Sequence, residues 1–172
     1  IFEKVILSSP MIRPLTGGVP WHVAKAIAKT SCKVGREANY VVGQKPYKEP
    51  AKFEDSCSLS HARFEYYEEK RTKESHYHLN APSYGWLGNA MRLNRYLEKT
   101  GWKKIAAPVM LFSAGKDNLV SNAEQERFVR KLNKNRPGSA ELVKFPESKH
   151  EIFNAGSDIA EEYWEKVFSF FE

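Results

Sequence analysis

The stretch from Pro108 to Ile152 restricts the fold more than any other part of this 172-residue chain. It opens with a short apolar run, Pro108 to Phe112, which passes through small residues to Asp117. An amphipathic helix follows. Ser121 and Glu124 stand at capping-box spacing, and Phe128, Val129 and Leu132 form one apolar stripe. A second short strand, Glu141 to Phe145, leads into a loop carrying His150. Strand, helix and strand in so short a span predict a βαβ unit with parallel strands. Parallel strands have a chemical consequence here. Asp117 and His150 each follow the carboxyl end of a strand, so both fall on one edge of the sheet, where open α/β sheets hold their sites. They lie 33 residues apart, about the room that one helix and one strand need. Singly each is ordinary: Gly115-Lys116-Asp117-Asn118 is a good turn sequence, and a histidine in a polar loop is usually solvated. Acid before histidine at one sheet edge predicts two members of a nucleophilic triad.

The rest of the chain is arranged around this unit. Val5 to Leu7 reads as a buried strand that Pro10 brings to a stop. A helix is expected from Pro20 to about Ser31, with Val23, Ala24, Ile27 and Ala28 as its apolar stripe. Between residues 33 and 58 the one extended piece is Tyr40 to Val42. A charged helix follows from Ser60 to Thr72. A longer one, Tyr84 to Lys99, turns Leu87, Ala90, Met91 and Leu97 one way and Arg92, Arg95 and Lys99 another, with Gly101 ending it. The last helix, Asp158 to Phe171, has Ser157 as its expected N-cap and a stripe of Ile159, Tyr163, Val167 and Phe170 to lay on the sheet. The organisation is therefore a core strand in 1–12, a helical insert in 13–105, and a core βαβ plus terminal helix in 106–172.

Composition excludes several classes. An apolar fraction of 41% with 13% aromatics suits a globular chain rather than a disordered one. No apolar run nears the roughly 18 residues that span a bilayer. Cys32 and Cys57 match neither a disulfide framework nor a zinc pattern, so both are read as reduced structural thiols. His76 and His78 alternate along an extended stretch with no third ligand nearby, so no metal site is expected. The net charge of +6 is unevenly spread. Residues 13–105 hold 17 Lys and Arg against 9 Asp and Glu, whereas residues 106–172 hold 9 against 11. Nucleic acid and anionic lipid are the partners such a surface suits, and a plain solvated face is the simpler reading. The chain starts at Ile1, not at methionine, and enters a strand almost at once, which reads as the back part of a longer protein. The location is read as cytoplasmic or at the periphery of a membrane and is left open, because on this reading any targeting signal lies in the absent front half.

The order strand, helical insert, strand, helix, strand, histidine loop, helix resembles the C-terminal part of an α/β-hydrolase whose helical cap is inserted after the first strand present. Particular words narrow the resemblance. V-I-L-S-S-P-M, S-L-S-H-A-R-F-E-Y-Y, P-S-Y-G-W-L, A-G-K-D-N-L-V and S-K-H-E-I look like the lysophospholipase and monoacylglycerol-lipase group, across nearly the whole chain. The resemblance implies that Asp117 is the triad acid and His150 the base. It puts the nucleophilic serine in a G-x-S-x-G elbow upstream of Val5, with the oxyanion hole also upstream. This chain has no such motif, and Ser8, Ser9 and Ser83 lack the flanking glycines. The implied function is the acid- and histidine-bearing half of a serine carboxylester hydrolase for lysophospholipids or monoacylglycerols. Such a half needs no cofactor, is inert alone, and is completed by the missing N-terminal half. An acyl pocket is expected from Met11, Trp21, Val23, Ile27, Tyr84, Trp86, Leu87 and Met91, each of which has the alternative of holding the cap together. The basic insert is expected to face anionic lipid, with no nucleic acid as partner. Two other readings stay open: an Asp nucleophile of the epoxide-hydrolase or dehalogenase type, and a non-catalytic lipid- or partner-binding module.

Overall fold

Strand β2 (Val109–Ala114) is buried at all six of its residues, and the sheet is built around it. The computed structural model describes residues 2–48 and 50–172. β1 (Val5–Ser8) pairs parallel to one side of β2 and β3 (Ala140–Phe145) parallel to the other, in the order β1-β2-β3. The register sets Leu7 beside Leu111 and Leu111 beside Leu142, so the three carboxyl ends reach the same edge. Near-continuous apolar sequence in β2, broken only at Ser113, is the mark of a strand covered on both faces. One face packs Met110, Phe112, Val143 and Phe145 against Tyr163 of α5 (Ser157–Phe171). The other packs Val109 and Leu111 against Phe128, Val129 and Leu132 of α4 (Asn122–Asn135). Alternation along each strand thus sorts its side chains between two separate cores.

Between β1 and β2 run α1 (Trp21–Lys33), α2 (His61–Lys73) and α3 (Tyr84–Lys99), with short 3₁₀ turns at Phe53–Asp55, Ser75–Tyr77 and Gly101–Lys104. The helices α1 and α3 share a core of their own, formed by Ala24, Ala28, Tyr84, Leu87 and Met91. Ser60 caps α2 through a hydrogen bond from Arg63 N, and Ser83 caps α3 through one from Trp86 N.

Several expectations are corrected in detail. Of the predicted apolar stripe of α1, Ala24 and Ala28 are buried, but Val23 and Ile27 remain 38% and 43% exposed, because small residues let α1 approach α3 closely. Tyr40 to Val42 makes one antiparallel bridge, Tyr40 to Ser83, before Gly43 turns the chain at φ 84°. Gly101 is not a left-handed cap. It opens a 3₁₀ turn, and a Cβ there would meet the half-exposed Tyr96 ring at 2.9 Å, so a larger residue would have to displace that ring. The N-cap of α5 is Gly156, with Ser157 already helical. Only half of the capping box on α4 forms. Ser121 accepts from Glu124 N, while the Glu124 carboxylate turns to Arg13 and Arg127. Both cysteines are free.

Candidate active site

Two loops at the carboxyl edge of the sheet are zipped together by their backbones. Gly115 N donates to Phe145 O at 2.8 Å, and Lys116 N donates to Ser148 O at 2.9 Å. The contact is so close that a Cβ on Gly115 would lie 2.2 Å from Pro146 O. A side chain there would force the loops apart. Asn122, at the start of α4, closes the acid loop by donating to Ala114 O at 2.7 Å.

Within this frame the side chains of Asp117 and His150 meet. Asp117 Oδ2 lies 2.8 Å from His150 Nδ1. The carboxylate is an acceptor, so Nδ1 carries the proton and donates, leaving the Nε2 lone pair free. Asp117 Oδ1 accepts from Leu119 N at 2.8 Å and Val120 N at 3.1 Å. Its side chain is wholly buried, while that of His150 is 26% exposed. Burial pushes the Asp117 carboxyl upward, but the hydrogen bonds from His150, Leu119 and Val120 outweigh it and hold the group below its ordinary 3.8. The acid is thus ionised and fixed, and the imidazole is oriented by it.

His150 opens onto a cleft of about 1310 Å³ between the strand ends and the helical insert. Met11 and Trp86 line it, as do Ser8, Ser9, Leu15, Val19 and Leu79. A second cavity of about 450 Å³ runs into the insert and shares Leu15, Val19, Pro82 and Trp86 with the cleft. Its wall includes Ile27, Tyr84 and Leu87, together with Val41 and Val42. Trp21, Val23 and Met91 line neither space. Met91 is 4% exposed inside the α1–α3 core, and Trp21 packs on that core with the Arg13 guanidinium over its ring. Sequence reasoning missed Gly115, Asn122, Leu15, Val19, Val41 and Val42. Gly115 was legible as a glycine just past a strand and Val41 and Val42 as part of an extended piece, whereas Leu15 and Val19 belong to a loop with no periodicity to mark them.

Among the described residues no hydroxyl is hydrogen-bonded to His150. Ser83 is occupied as a helix cap, and the Ser8 and Ser9 hydroxyls are buried without a partner. Ser9 has φ 42°, a left-handed backbone at the point where β1 ends. The arrangement as it stands can hold and move a proton at Nε2.

Residues 1–156 match the family model Hydrolase 4, described as serine aminopeptidase, S33. The chain belongs to this family. Its fold is that of the α/β-hydrolases, and two solved structures share it. Against a soluble variant of monoglyceride lipase from Saccharomyces cerevisiae in complex with a substrate analog, the TM-score is 0.66 at 14% identity. That match covers 96% of this chain and 54% of the yeast one. Against the monoacylglycerol lipase of Paleococcus ferrophilus the TM-score is again 0.66, at 18% identity, covering 98% of this chain and 58% of the other. The chain therefore spans little more than half the length of either lipase. No curated protein sequence matches it. The resemblance to the monoacylglycerol-lipase group is upheld at the level of fold.

Proposed function

We propose that the chain is the acid- and histidine-bearing part of a serine carboxylester hydrolase that takes a single-acyl lipid, a monoacylglycerol or a lysophospholipid. The observation that carries this is the 2.8 Å contact between a buried, ionised Asp117 and a histidine facing an open cleft at the head of parallel strands. In such a site a serine hydroxyl attacks the ester carbonyl while the His150 Nε2 takes its proton. Asp117 holds the tautomer and stabilises the imidazolium, and the same proton then passes to the leaving alcohol. Serine and oxyanion hole belong to the remainder of the fold. The free edge of β1, whose four residues are all half-buried, is where that remainder would pair. The apolar cavity that opens off the cleft favours an acyl chain, and helices α1 and α3 then serve as the cap. Membership of a serine aminopeptidase family favours serine over the Asp nucleophile.

The test uses the full-length protein with a fluorophosphonate probe and a monoacylglycerol assay. Wild type is expected to label and to hydrolyse, and His150→Ala to lose both. A wild type that never labels would point to an Asp nucleophile or a binding module. Cleavage of amino-acid anilides in place of esters would move the substrate to peptides.

A further inference from the structure

The loop carrying His150 is held by the helical insert as well as by its neighbour in the sheet. Six hydrogen bonds cross from residues 54–63 to residues 149–155. Lys149 Nζ donates to Glu54 O at 3.1 Å and to Ser56 O at 2.9 Å. Glu151 N donates to Cys57 O at 3.0 Å. Ser58 Oγ donates to Asn154 O at 2.6 Å, and Arg63 Nη1 donates to Phe153 O at 3.1 Å and Ala155 O at 3.2 Å. The bonds grip both chain neighbours of His150 and run on over the 3₁₀ turn Ile152–Asn154. That turn ends with carbonyls that have no partner inside it, and Ser58 and Arg63 supply the donors. Ser58 is only 3% exposed and its hydroxyl also accepts from Ser60 N at 3.1 Å, so it ties the start of α2 to the turn through one oxygen. The Asp117–His150 pair by itself requires none of this.

We propose that residues 54–63 are a strap that positions His150, with Ser58 and Arg63 acting as positioning residues for its proton transfer. The proposal rests on the reading of His150 as the base. A surface loop is mobile unless tied, and a reacting group displaced by about 1 Å loses on the order of a hundredfold in rate. Six cross-links from the insert fix where the imidazole sits relative to Asp117. They also tie α2 to the base, because lifting α2 away from the sheet draws the histidine loop with it.

The experiment compares wild type, Ser58→Ala, Arg63→Ala and Arg63→Lys in the full-length protein. As a control it includes Arg136→Ala, which changes an exposed residue beyond the C-terminal end of α4. Readouts are kcat and KM on a water-soluble ester, the thermal midpoint, and the low-field proton signal of the His150 Nδ1–H bond to Asp117. Ser58→Ala and Arg63→Ala are expected to lower kcat about tenfold to a hundredfold at unchanged KM and to broaden or abolish the signal. Arg63→Lys should recover part of both, since an ammonium can still reach one carbonyl. Unchanged kcat with an intact signal overturns the proposal, as does a loss of kcat that merely follows the thermal midpoint. If Arg63→Ala does not fold, Ser58→Ala, which removes one oxygen, carries the same readouts. If wild type hydrolyses no ester but the signal still disappears in the variants, the function assigned above fails and the strap stands.

Discussion

Asp117 shows how little of a residue's role lies in its type. Glycine-lysine-aspartate-asparagine is a turn sequence, and Asp117 does serve the turn: its Oδ1 takes the amides of Leu119 and Val120. The other oxygen is what makes it a candidate catalytic acid, because that oxygen alone meets the imidazole. Asp117→Asn keeps the size and part of the turn but loses the carboxylate that selects the Nδ1–H tautomer. It is expected to lower kcat by about 10⁴-fold with little change in KM, as steady-state kinetics will show. The stability side has a definite sign. The folded carboxyl sits below its ordinary 3.8, so its contribution is complete above that value and is lost as pH falls through the folded one. The gap in denaturation midpoint between wild type and Asp117→Asn should therefore shrink below pH 3.8.

At the scale of elements, α3 does more than pack. Its buried face runs through Leu87, Ala90 and Met91 and then, unexpectedly, through Asn94. The Asn94 side chain donates to Ile12 O at 2.8 Å, and Gln125 of α4 donates to Pro10 O at 3.1 Å. Ion pairing of Arg13 with Glu124 at 2.9 Å completes the brace. These three contacts fix the chain where it leaves β1 and enters the insert, so the cleft has a rigid floor on that side. Asn94→Ala leaves the buried Ile12 carbonyl without its donor and is expected to cost about 1–3 kcal/mol in urea unfolding. An unchanged midpoint would mean that water replaces the amide. The apolar periodicity of α3 was legible in the sequence, whereas the role of Asn94 was not, since a polar residue on an apolar face acquires its meaning from a carbonyl 82 residues away.

For the whole molecule, the charge asymmetry has a location. Lys25 and Lys29 on α1 and Arg92, Arg95 and Lys99 on α3 are exposed. Near the cleft mouth, Leu15, Val19, Leu79 and Trp86 are 49%, 41%, 83% and 47% exposed. Exposed cationic side chains on the insert are what the expectation of an anionic lipid surface rests on, each charge near such a surface contributing about 1 kcal/mol. Replacing these five basic residues by Gln is expected to weaken sedimentation with anionic vesicles by at least tenfold and to make it insensitive to salt. Hydrolysis of a soluble ester should be unchanged, and equal loss of both would refute a membrane role. Among the described residues no helix is long and apolar enough to cross a membrane.

The sequence alone determined the βαβ unit, the parallel strands and the edge on which Asp117 and His150 fall. These follow from apolar periodicity and from the topology that a short strand-helix-strand allows. Local signals also located the helices to within a residue or two. Tertiary structure decided what periodicity does not encode. It brought Asp117 and His150 to hydrogen-bond distance through the Gly115–Pro146 contact, and it hid Met91 in the α1–α3 core while leaving Trp86 on the cleft. It also joined Ser58 and Arg63 to a loop more than 90 residues away. Such contacts depend on where two distant backbones end in space, which no local pattern of residues specifies.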